Sequence, residues 1–134
     1  MIGGLVAPST GPGPESSGSD LIAFLRERIR DREPPGVFVH TLYVPDQLGS
    51  YNVVVGVTRD SAADVPYGDV FATLGPAAYA VVSPELNLPD QVEDVWAQLD
   101  DAVRDGTVVR AGGPEFETVS PEGRVELNVT VVLA

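Results

Sequence analysis

The chain has no cysteine and no lysine, a single histidine (His40) and a single methionine. Without cysteine there are no disulfides, thiolate zinc sites or cysteine nucleophiles. Without lysine, side-chain Schiff-base chemistry is excluded. One histidine cannot form the usual metal cluster, and the carboxylates lack calcium-loop spacing, so neither metal nor cofactor is expected. No serine sits in a G-x-S-x-G elbow for His40 to serve, and Gly112-Gly113 lacks the phosphate-loop pattern. His40 is read as a structural or groove residue rather than a base. There is no run of about 18 apolar residues and no leader with a charged start and apolar core, so a soluble cytoplasmic protein is expected.

Positive charge is also scarce. Eight cations, all arginine, face 20 Asp and Glu, for a net charge of −12. A phosphate backbone or an anionic membrane surface needs a positive face, so nucleic acid and membrane partners are disfavoured. The balance favours solubility and cationic or neutral partners. At 134 residues, with 43% hydrophobic composition, the chain fits one domain with a real core.

Ile2, Leu5 and Val6 mark a short apolar run that suits an edge strand. A Pro/Gly/Ser stretch at 8–18 follows, a surface connection or a lid over a site. Ser17 or Ser19 then offers an N-cap to a helix carrying Leu21, Ile22, Leu25 and Ile29 at helical spacing, with Phe24 beside them. Its arginines at 26–32 are interleaved with Glu27, Asp31 and Glu33, which predicts a solvated, salt-bridged face. Residues 37–44 and 51–58 form a hairpin about the turn Pro45-Asp46-Gln47-Leu48-Gly49-Ser50. Residues 70–82 read as a longer β segment with a bend or bulge at Gly75-Pro76. Leu88-Pro89-Asp90 opens a second helix striped by Val92, Val95, Trp96, Leu99 and Val103. A second hairpin spans 112–132.

The order strand, helix, hairpin thus occurs twice, and the sequence echoes it. Asn52-Val53-Val54-Val55 closes one hairpin as Asn128-Val129-Thr130-Val131 closes the other. The expected architecture is α+β: duplicated strand-helix-strand-strand modules, about 1–60 and 68–134, related by a pseudo-twofold axis. Antiparallel sheets would carry two helices on one face, with a ligand groove at the junction.

In the last strand, Val125, Leu127, Val129, Val131 and Leu133 share one face, which must meet the helices. Placing Phe116 in that core turns Glu115, Glu117 and Val119 to the opposite face, and a one-residue slip would invert this. Both glutamates then either decorate a wet face or line a site. A carboxylate among apolar neighbours is costly unless a cation or hydrogen-bond donor meets it.

The run Pro66-Tyr67-Gly68-Asp69-Val70-Phe71-Ala72-Thr73-Leu74, the strand Tyr79-Ala80-Val81-Val82, the mid-helix Trp96 and Pro114-Glu115-Phe116-Glu117 together resemble the GyrI-like, or AraC-type effector-binding, bacterial domains. The resemblance spans nearly the whole chain and rests on motif order and spacing. It implies a pocket for amphipathic, aromatic or cationic small molecules, with Glu117 as the charge contact. Trp96, Tyr43, Tyr79, Phe71, His40 and Val119 would complete the pocket. Val119 stands where the family has a tyrosine, so another aromatic must fill that part of the wall.

Two functions follow from the resemblance. One is a stand-alone binding, sequestration or resistance protein, lacking the family's DNA-binding helices. The other is a metal-free hydrolase opening strained electrophilic rings, with Glu117 activating water and Tyr43 or Tyr79 donating a proton or hydrogen bond. A third is inhibition of a protein such as gyrase through mimicry of acidic DNA. Sequence leaves the choice between monomer and homodimer open.

Overall fold

The computed structural model describes residues 1–14, 18–85 and 89–133. Among them, the chain forms β1 (Ile2–Ser9), α1 (Ser19–Arg32), β2 (Val39–Pro45), β3 (Tyr51–Thr58), a 3-10 turn (Ala62–Asp64), β4 (Val70–Ala72), β5 (Tyr79–Val82), α2 (Gln91–Arg104), β6 (Arg110–Val119) and β7 (Val125–Val131). The class is α+β. The strands form one seven-stranded sheet in the order β4-β1-β3-β2-β6-β7-β5, every pairing antiparallel. The expected plural sheets are therefore one, because β2 and β6 hydrogen-bond directly, from Val39 opposite Val119 to Tyr43 opposite Glu115.

Local chemistry sets the boundaries. Between β2 and β3, the Asp46 carboxylate accepts from the backbone N–H groups of Leu48 (2.8 Å) and Ser50 (3.0 Å), closing the turn its sequence announces. Asp90 caps α2, accepting from Glu93 N–H at 3.1 Å, while Leu88, expected at this start, lies outside the described residues. At α1 the N-cap position is Gly18, with no side-chain cap; Ser19 is the first helical residue and Ser17 lies outside the described residues.

Both helices lie on one face. Ile22 and Ile29 from α1 and Val95, Trp96 and Leu99 from α2 share a core with Val53, Val55, Leu127 and Val129. Burying each such side chain stabilises the fold by about 1.5–3 kcal/mol, so this layer dominates the energetics. The stripe on α1 is narrower than its spacing suggested, since Leu21 and Phe24 are exposed.

Two expectations are overturned. Phe116 does not join the helix-side core; it packs on the opposite face against the cluster of Ile2, Leu42 and Val54. Register explains it: Glu117 lies opposite Leu127 and Phe116 opposite Asn128, so Leu127 brings Glu117, not Phe116, to the helices. The 70–82 segment is likewise not one bulged strand. Val70–Ala72 pairs with β1 at one edge, and Tyr79–Val82 pairs with β7 at the other. The Gly75-Pro76 break frees the chain to cross between them, with Leu74 packed on the second-face cluster. Strand β1 consequently lies between β3 and β4 rather than at an edge. It approaches β3 so closely that a Cβ on Gly56 would lie 2.0 Å from the Gly3 carbonyl oxygen.

Candidate functional site

The sheet's central seam positions the site. Thr41 and Tyr43 of β2 and Glu115, Glu117 and Val119 of β6 alternate onto the helix face, beneath the line where α1 and α2 meet the sheet. Glu117 is fully buried, at 0% exposure. Arg26 Nη2 of α1 donates to its Oε2 at 2.5 Å, and Trp96 Nε1 of α2 donates to its Oε1 at 2.6 Å. The Tyr43 hydroxyl donates to the same Oε1 at 3.4 Å. One carboxylate thereby ties both helices to both central strands. Arg26 is itself oriented, its Nε donating to Thr41 Oγ1 at 2.8 Å.

Burial pushes the Glu117 carboxyl above its ordinary range, while Arg26, Trp96 and Tyr43 pull it back. The Tyr43 phenol is also raised, first by burial and then by the Glu117 charge. Tyr43 and Trp96 meet edge to face, with centroids 5.7 Å apart at 90°.

Sequence reasoning missed Arg26, which it placed on a wet face. The signal was present: Ile22, Arg26 and Ile29 occupy i, i+4 and i+7, so the arginine interrupts the buried stripe. A cation at a core position calls for a buried anion, and Glu117 supplies it.

A cavity of about 370 Å³ opens beside this cluster, lined by Pro12, Gly13, Pro14, Glu93, Trp96, Ala97, Asp100 and Arg110. Glu93, Ala97 and Asp100 repeat at helical spacing along the exposed flank of α2, so the helix presents two carboxylates to the cavity. Its other wall is the glycine-proline stretch after β1. That stretch is neither a free surface loop nor remote, although residues 15–17 lie outside the described residues. Gly13 is buried with φ +94°, and a Cβ there would lie 3.2 Å from the Trp96 ring. Its backbone hydrogen-bonds the Tyr43 hydroxyl.

A second carboxylate was also missed as a buried group. Glu115 is 4% exposed, with Oε2 3.1 Å from Arg110 Nε. Burial raises its carboxyl, Arg110 opposes that rise and Asp100 adds to it.

Of the residues expected to form the site, the structure brings Glu117, Trp96 and Tyr43 together. Val119 shares their face but is buried in the core, opposite Val39 and Val125. His40 and Tyr79 lie on the other face, each edge-on to Phe116 at 6.3 and 5.9 Å. His40 is held there by Thr118 Oγ1 (2.8 Å) and Thr58 Oγ1 (3.1 Å), and burial lowers its pKa. Phe71 stands half-exposed on edge strand β4. Among the described residues no group of three or more His, Asp or Glu is arranged to hold a metal ion, and no helix is long and apolar enough to cross a membrane.

No family model and no curated protein matches the chain. Among solved structures it is similar to the integron cassette protein VCH_CASS2 from the mobile metagenome of Vibrio cholerae. The TM-score is 0.72 at 18% identity, covering 98% of this chain and 89% of that one. The likeness is one of fold.

Proposed function

We propose that this chain is a small-molecule-binding protein that captures aromatic or cationic ligands in the cavity beside Trp96, acting in sequestration or resistance. The observation that carries this reading is the cavity itself: about 370 Å³, walled by an indole and bordered by Glu93 and Asp100. An aromatic wall offers stacking and cation–π attraction, and the carboxylates select positive charge. The hydrogen bond to Glu117 fixes the indole, so the wall is organised before a ligand arrives.

The reading carries a GyrI-like, stand-alone, cytoplasmic assignment with it. Support for a duplicated architecture comes from the strand order. The module β1-α1-β2-β3 lays its strands as β1-β3-β2, and β5-α2-β6-β7 lays its own as β5-β7-β6, meeting at β2 and β6. In this reading β4 is an addition to the first module.

Binding is preferred over hydrolysis because Glu117 already accepts from three donors. A general base needs an acceptor free to take a proton from water. Trp96 is the only tryptophan, so its fluorescence reports directly on the cavity. The test is titration with a panel of cationic dyes and ring-strained electrophiles, following emission and product together. Saturable quenching with no product is expected. Turnover that is lost in Glu117→Gln would establish the hydrolase instead, and a panel that never perturbs Trp96 would refute both.

A further inference from the structure

We propose that Glu115, rather than Glu117, is the carboxylate that meets the ligand, and that it accepts a hydrogen bond from an N–H-bearing organic cation, an amidinium, guanidinium or primary ammonium, seated against Trp96. The proposal rests on the binding reading of this cavity.

The two glutamates are neighbours on one face of β6 but differ in what surrounds them. Glu117 has both oxygens engaged, by a guanidinium, an indole N–H and a phenol. Glu115 is nearly as buried, yet its Oε1 has no hydrogen-bond partner among the described residues. Its Oε2 faces Arg110 Nε at 3.1 Å, but that N–H is not aligned for a hydrogen bond and is unsatisfied too. The contact is an ion pair by proximity only. A buried carboxylate oxygen left bare is costly, and native interiors carry few of them.

Glu115 also stands at the right place. Arg110 lines the cavity, so the carboxylate lies one side chain behind its wall, and Asp100 on the rim is near enough to raise its proton affinity. Glu93, Asp100 and Arg110 line this space, and Glu115 lies behind it at ion-pair distance from Arg110. The Arg110 side chain is 34% exposed, so it is free to swing towards solvent and yield Glu115 to an incoming cation.

The bare oxygen sets the ligand's chemistry. A quaternary ammonium would gain the cation–π attraction of Trp96 but has no hydrogen to give Oε1. A cation with N–H groups gains both. The bulge in β6 between Arg110 and Glu115 is what brings the two side chains to one face despite their odd spacing.

Benzamidine and phenyltrimethylammonium make the test, since both pair a phenyl ring with one positive charge. Binding is measured by calorimetry and Trp96 emission at low salt and pH 7.5, with thermal melts to confirm folding. Benzamidine is expected to bind at least tenfold more tightly. Glu115→Gln should weaken benzamidine at least tenfold while changing phenyltrimethylammonium less than twofold. Arg110→Gln, which removes the internal competitor, should tighten benzamidine. If both probes bind equally and Glu115→Gln alters neither, the role of Glu115 is refuted while the cavity reading stands. If neither probe perturbs Trp96, the cavity reading fails and this proposal with it.

Discussion

Replacing Arg26 with methionine asks how much of the fold depends on answering the buried charge of Glu117. Methionine keeps much of the unbranched stem and removes only the guanidinium. The Glu117 side chain is 0% exposed and that of Arg26 is 21% exposed, so the pair is mostly shielded from water. Breaking a buried pair from one side costs about 3–5 kcal/mol, because the remaining charge keeps its desolvation penalty without its partner. Solvent reaches part of Arg26, which places the expected loss at the lower end, about 3 kcal/mol. For a chain of this length that corresponds to a melting temperature lowered by roughly 10–15 °C.

The assay is thermal unfolding at several pH values. Without Arg26, no cation among the described residues opposes burial, so the Glu117 carboxyl rises further and takes a proton more readily in the folded state. Protonated, it still accepts from Trp96 and Tyr43. The deficit of Arg26→Met should therefore be largest at pH 8 and shrink as the solution is acidified towards pH 5. Adding Glu117→Gln should restore about 2 kcal/mol at neutral pH, since the amide needs no counter-charge. A loss below 2 °C at pH 8, or a deficit independent of pH, would refute the claim that Arg26 neutralises Glu117.

Three further outcomes are expected. Gly13→Ala forces a side chain into φ +94° and against the Trp96 ring, so it should cost about 1–3 kcal/mol and shift the indole emission. Gly56→Ala would place a Cβ 2.0 Å from the Gly3 carbonyl oxygen, so it should part β1 from β3 and cost about 4 kcal/mol or more, read as loss of the cooperative melt. Glu115 has a folded-state pKa raised by burial, so its contribution favours the fold at acid pH and is lost as pH rises through that raised value. Glu115 should thus give melting temperature a component that falls as pH rises above the ordinary carboxylate range, opposite in sign to that of His40, whose lowered pKa favours the fold as pH rises, and Glu115→Gln should remove the falling component.

The class, the two helices and both hairpins were legible because each rests on local signals: Asp46 in a turn, Asp90 at a helix start, valine-rich strands with clear alternation. The face of β6 was not. Phe116 and Glu117 are adjacent, and reasoning from hydrophobicity alone sends the ring inwards and the carboxylate out. The opposite holds because Arg26, Trp96 and Tyr43 arrive from three other elements to satisfy the charge. Such a shell is invisible along the chain, since Arg26 is 91 residues from its partner. The splitting of 70–82 between opposite sheet edges was hidden for a similar reason: composition marks a strand, but only pairing says which neighbour it finds.

The glutamates also show why burial by itself does not identify a ligand contact. A carboxylate taken from water is stable only if donors replace the lost hydration, and every donor the protein supplies is one a ligand cannot. Glu117 has reached that limit: a guanidinium, an indole and a phenol hold it, and it holds them. Removing any donor to admit a ligand would release Trp96 or Arg26 from the seam between β2 and β6. Glu115 has a cation at ion-pair distance and one oxygen without a donor among the described residues. A newcomer there adds a hydrogen bond without dismantling one. The carboxylate fixed most firmly is the strut of the site, and its less satisfied neighbour is the one with capacity to bind.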